Sequence, residues 1–78
     1  MEYTFIVTCT IYYGKKNYEC YGMALIVECE RGIEIIKEYS SLTFDKSKIT
    51  GLVKLCNEFK ISEMNLDEVV DDFINGEY

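Results

Sequence analysis

The chain is expected to fold as an α+β domain of order βββαα: a three-stranded antiparallel meander followed by two helices packed on one sheet face. Two observations predict it. β-Branched and aromatic residues alternate with period two through the first half, and two apolar stripes at helical spacing fill the second.

Residues 2–13 read as the first strand. Tyr3, Phe5, Val7, Cys9 and Ile11 share one face, and Thr4, Ile6, Thr8, Thr10 and Tyr12 share the other. Residues 14–17, Gly-Lys-Lys-Asn, form a turn, and residues 18–29 return. With the turn centred on Lys15 and Lys16, Phe5 is expected opposite Ile26, Val7 opposite Ala24, Cys9 opposite Gly22 and Ile11 opposite Cys20. Small Gly22 and Ala24 would then admit a helix, with Gly22 also a candidate bulge. That register gathers Ile6, Tyr12, Tyr21, Met23, Leu25 and Val27 on the second face, unusually apolar for a solvent face.

Glu30-Arg31-Gly32 is a second turn, and residues 33–39 form a third strand whose charges suit an edge. A connector over 40–44 leads to Asp45, which caps a helix over 46–59 with the stripe Ile49, Leu52, Val53, Cys56 and Phe59. Gly51 inside it is expected to let the helix approach the sheet closely. The last helix is expected over 66–75. Asn65 is its N-cap, Glu68 completes a capping box, and Met64 and Val69 have the spacing of a hydrophobic staple. Leu66, Val69, Val70, Phe73 and Ile74 form its stripe, and Gly76 its left-handed stop.

These elements make one domain, residues 1–78. So short a chain buries only about 60% of its unfolded surface. The 49% apolar content excludes disorder as the main state, and no apolar run is long enough for a membrane span. Met1-Glu2-Tyr3 lacks the basic start of a secretory signal. Cys9, Cys20, Cys29 and Cys56 are expected as buried, reduced thiols, because their spacing suits neither a disulfide scaffold nor a zinc site. The expectation is a cytoplasmic protein, of a bacterial cell or a phage-infected host, without membrane contact.

The net charge of −6 is concentrated. Residues 62–78 hold six acids and no base, while the remaining eight acids and eight bases cancel. Asp67, Glu68, Asp71 and Asp72 stand on the outer face of the last helix. Such a face is ordinarily a solvated surface; its functional reading is an electrostatic footprint for a basic partner. It also speaks against a helix-turn-helix, since a recognition helix meets phosphates. Tyr12, Tyr13, Tyr18 and Tyr21 cluster near Lys15 and Lys16. Cross-strand packing explains them most simply; a protein-binding patch through Tyr12, Tyr13 and Tyr21 comes next, and stacking of single-stranded bases third. There is no His, no phosphate loop and no base beside a cysteine. No catalytic residue, metal or cofactor is therefore expected.

Leu55-Cys56-Asn57-Glu58-Phe59, a short link, and then the run from Leu66 to Ile74 resemble the ending of a small family of unknown function from clostridia-like Gram-positive bacteria and their phages. Tyr21-Gly22-Met23, and Ser41 with Asp45, extend the resemblance over most of the chain. The family pattern commonly has a His before the final helix, where Met64-Asn65 stands here. The resemblance implies a bacterial or phage setting and no particular activity.

The function expected is that of a small acidic, non-enzymatic protein that binds another protein. By analogy it would be a phage-type inhibitor, anti-CRISPR or other anti-defence, whose acidic helix occludes the basic nucleic-acid surface of an effector. The alternative is a homodimeric structural or regulatory module joined through the second sheet face (Ile6, Met23, Leu25, Val27).

Overall fold

A computed structural model describes residues 2–76. Strands β1 (Glu2–Tyr12), β2 (Tyr18–Cys29) and β3 (Gly32–Thr43) form an antiparallel sheet in the order β1-β2-β3. Helices α1 (Lys46–Phe59) and α2 (Glu63–Ile74) follow, so the architecture is α+β, βββαα. Phe5, Met23 and Leu25 of the sheet meet Ile49, Leu52, Val53 and Cys56 of α1 and Leu66 and Val70 of α2 in one core. These strand residues share a face, so both helices cover the same side of the sheet.

The register of the first hairpin differs from expectation by one residue. Tyr12 pairs with Tyr18 across a five-residue loop, which sets Phe5 opposite Leu25, Val7 opposite Met23 and Cys9 opposite Tyr21. A slip of one residue turns every side chain of a strand to the other face. Met23, Leu25, Val27 and Tyr21 therefore lie on the helix-covered side, and Cys20, Gly22, Ala24 and Ile26 on the other. The energetic reason is plain: Met23 and Leu25 give the helices large apolar side chains to bury, where Gly22 and Ala24 would give almost none.

Gly22 has a different task. A Cβ there would sit 2.0 Å from the backbone oxygen of Tyr39 and 3.0 Å from the Cα of Ser40. Between the pairs Met23–Tyr39 and Tyr21–Thr43, β3 carries three residues against the single Gly22, and Ser41 takes a left-handed φ of 56°. Glycine is the residue that lets this bulge press onto β2. A second register shift leaves Ile36 unmatched between Lys37 and Ile35. β3 thus runs well past Tyr39, the expected end.

Asp45 caps α1 as expected, accepting from the backbone N–H groups of Ser47 (2.9 Å) and Lys48 (3.3 Å). Ile49, Leu52, Val53 and Cys56 are buried, but Phe59, placed on the stripe by its spacing, is 70% exposed at the helix end. Gly51 also departs from expectation: it is exposed, and a Cβ there would meet nothing within 4 Å. Lys60 closes α1 in the left-handed conformation.

α2 begins earlier than its capping-box signature indicates. Ser62 is the N-cap, without a side-chain cap bond, and Asn65 lies inside the first turn with its N–H on the Ser62 carbonyl at 3.1 Å. The left-handed Lys60 and the inward packing of Ile61 shorten the link, so the helix starts at Glu63, whose charge favours the positive helix end. Met64 is consequently 92% exposed and makes no staple. Gly76 does adopt positive φ, 74°.

Candidate functional site

The acidic helix is divided by its packing. Leu66 and Val70 are buried, while Val69 and Phe73 pack partly against the core. This rotates Asp67 towards β3. Its Oδ1 lies 2.8 Å from Lys37 Nζ and also accepts from the Tyr39 hydroxyl. The Lys37 ammonium, and after it the Tyr39 hydroxyl, hold the Asp67 carboxyl below the usual carboxylate range. In return Asp67 raises the Lys37 ammonium. Burial, then the bond to Asp67, raises the Tyr39 hydroxyl. Asp67 is thus a tether between α2 and β3. Asp72 is half-buried. Glu68 and Asp71 are exposed, and their carboxylates have no ion pair or hydrogen bond among the described residues.

The hairpin tyrosines do not converge. Tyr12 stacks on Tyr18, its directly opposite neighbour, with centroids 5.0 Å apart, and its hydroxyl lies 2.5 Å from Ser41 Oγ. Tyr18 in turn meets the edge of Phe44 at 5.7 Å. This aromatic row fastens the end of β3 to the hairpin. Tyr21 lies on the helix-covered side, where its hydroxyl donates to Glu19 Oε2 at 2.7 Å; that bond to a carboxylate pushes the phenol up to about 12. Tyr13 stands outside the strand and is exposed.

Among the described residues, no helix covers the second face of the sheet. At its centre Ala24 and Ile26 on β2 are closed to water by their neighbours. Around them stand Ile6 on β1 and, on β3, Ile33 (63% exposed) and Ile35 (60%). Ile33 pairs with Glu28 and Ile35 with Ile26, so both side chains share this face. The bulge at Ile36 brings them there; without it the period-two alternation would send them to the helix side. Exposed Glu28 and Glu38 also point to this face. The face expected to carry Met23, Leu25 and Val27 therefore carries isoleucines instead, and those three residues are buried. The consecutive Ile35-Ile36 in β3 was the available signal, because a doublet breaks strict alternation.

Three of the four cysteines are at least partly buried and none is in a disulfide, but Cys9 is exposed on the outer strand. Burial pushes the Cys56 thiol up, which suits a core packing role.

Fold and surfaces together define a small α+β domain, a meander backed by two helices on one side and, among the described residues, bare on the other. The chain belongs to a family of unknown function, DUF6514, whose profile matches residues 1–76. No curated protein and no solved structure matches the chain. No helix among the described residues is long and apolar enough to cross a membrane.

Proposed function

We propose that the protein is a non-enzymatic module that binds another protein through the bare face of its sheet. One observation carries this reading: Ile6, Ile33 and Ile35 stay exposed around a centre, Ala24 and Ile26, that is already closed to water. A set of exposed apolar side chains rimmed by polar groups suits a macromolecular contact. The exposed carboxylates of Glu28 and Glu38 border it, so the partner of matching chemistry is a protein with an apolar centre and a basic rim. Affinity capture from a host lysate with the wild-type protein and with Ile35→Glu tests this. A basic protein held by the first and lost by the second supports the reading; equal capture by both refutes it. Self-association lost in Ile35→Glu would instead make the face a homodimer contact.

A second reading rests on the carboxylates of Glu68 and Asp71, which have no partner among the described residues. They would stand in for phosphates and occlude the basic nucleic-acid channel of an effector, as a phage-type, anti-CRISPR-like inhibitor does. Asp67 is occupied by Lys37 and contributes less. Charge reversal at Glu68 and Asp71 abolishes binding under this reading and leaves it intact under the first.

A further inference from the structure

The two edges of the sheet are guarded very differently. β3 carries two register shifts and the charges of Glu34, Lys37 and Glu38, the usual devices against strand addition. β1 pairs with β2 without a single irregularity from Glu2 to Tyr12, and beyond Glu2 it has no charge, no glycine and no proline. One protection does exist. Asn57 of α1 accepts from the Phe5 N–H at 2.9 Å and donates through Nδ2 to the Phe5 carbonyl at 3.0 Å, standing where a neighbouring strand would stand. Those bonds show that the backbone polar groups of Phe5 point away from β2. By the period of an antiparallel ladder, the N–H and C=O groups of Val7, Cys9 and Ile11 point the same way. They have no protein partner among the described residues. Cys9 and Ile11 are also exposed, so α1 leaves this end of the edge open.

We propose that β1 pairs antiparallel with β1 of a second copy about a two-fold axis at Cys9, joining two sheets into one of six strands. The register follows from the free groups. Centred on Cys9, Val7 faces Ile11, Cys9 faces Cys9, and Ile11 faces Val7. Every outward N–H and C=O of the open segment then meets an outward partner. Shifting the centre by one residue either way leaves one of the three without such a partner. Phe5, already satisfied by Asn57, would face Tyr13, which lies beyond the strand, so the pairing ends where the protection begins. The side chains agree with the backbone. On the bare face Thr8 meets Thr10 and Ile6 meets Tyr12, both favourable cross-strand pairs, and no charge opposes its own copy. A two-fold contact of this kind is closed and self-limiting.

The test is the molar mass in solution from micromolar to millimolar protein, together with amide exchange. Mass doubling from 9.1 kDa with concentration is expected, with the amides of Val7, Cys9 and Ile11 slowing as the dimer forms. Cys9→Lys sets like charges opposite one another and returns the monomer; Ile11→Lys, at a second exposed position, does the same. Ile35→Glu, on the bare face away from the edge, leaves the dimer intact, so this proposal and the partner-binding face fail separately. Mild oxidation should cross-link the dimer through Cys9, since Cα atoms of a hydrogen-bonded pair lie within disulfide reach. A strict monomer up to millimolar concentration overturns the proposal. So does a dimer that survives both lysine variants with these amides unprotected.

Discussion

Gly22→Ala and Gly51→Ala are the same chemical change, and the structure predicts opposite signs for them. At Gly22 the added Cβ would fall 2.0 Å from the Tyr39 oxygen and 3.0 Å from the Tyr39 carbonyl carbon. Both are backbone atoms, held by the bulge and by the pairing of Met23 with Tyr39. Relief requires β3 to move off β2, so the loss should sit at the upper end of the overpacking range, about 3 kcal/mol. Gly51 is exposed in the middle of α1 with nothing within 4 Å of its would-be Cβ. Alanine there should stabilise by about 0.5–1 kcal/mol, because the unfolded chain loses freedom and helix propensity rises. For a domain of this size, each kcal/mol moves Tm by roughly 4–8 °C. Urea and thermal unfolding followed by far-UV circular dichroism would measure both. A Gly22→Ala protein within about 0.5 kcal/mol of wild type, the scatter of ordinary surface changes, would refute the close approach of the bulge.

Other outcomes follow from the same contacts. Asn57→Ala removes two hydrogen bonds to Phe5, each worth about 0.5–1.5 kcal/mol, and should lower stability accordingly in urea melts. The same variant should self-associate more strongly, because it lengthens the open edge of β1. Leu66→Ala, at a fully buried position between α2 and the sheet, should lose about 2–5 kcal/mol by chemical denaturation. Asp45 and Asp67 both have lowered folded-state values, Asp45 through the Ser47 hydroxyl first and Asp67 through Lys37 first. Their stabilisation is therefore complete above the unfolded carboxylate range and is lost as pH falls through the folded values. Tm should drop as pH falls below the ordinary carboxylate range, and Asp67→Asn should flatten part of that drop.

How much of this was legible in the sequence depends on the range of the interaction responsible. Strand and helix order followed from local periodicity, and the Asp45 cap from a local hydrogen bond to Ser47 and Lys48. The hairpin register did not, because a four-residue and a five-residue loop are equally compatible with Gly14, Lys15, Lys16 and Asn17. One residue of difference sent Met23 and Leu25 into the core and left Ala24 and Ile26 on the bare face. Gly22 was recognisable as a bulge marker, yet its necessity comes from Tyr39 and Ser40, far along the chain. The acidic helix was visible as a charge pattern, but its pairing with Lys37 is a tertiary contact, and only that contact separates Asp67 from Glu68 and Asp71. The isoleucine face was hidden by the bulge at Ile36, which no strict alternation anticipates.

The most direct test of partner binding is a chemical-shift perturbation map of the 15N-labelled protein titrated with the captured partner. Binding through the bare face predicts that the largest shifts fall on Ile6, Ala24, Ile26, Ile33 and Ile35, with Glu68 and Asp71 little changed. Shifts concentrated on Glu68 and Asp71, with the isoleucines of the sheet unmoved, would contradict it.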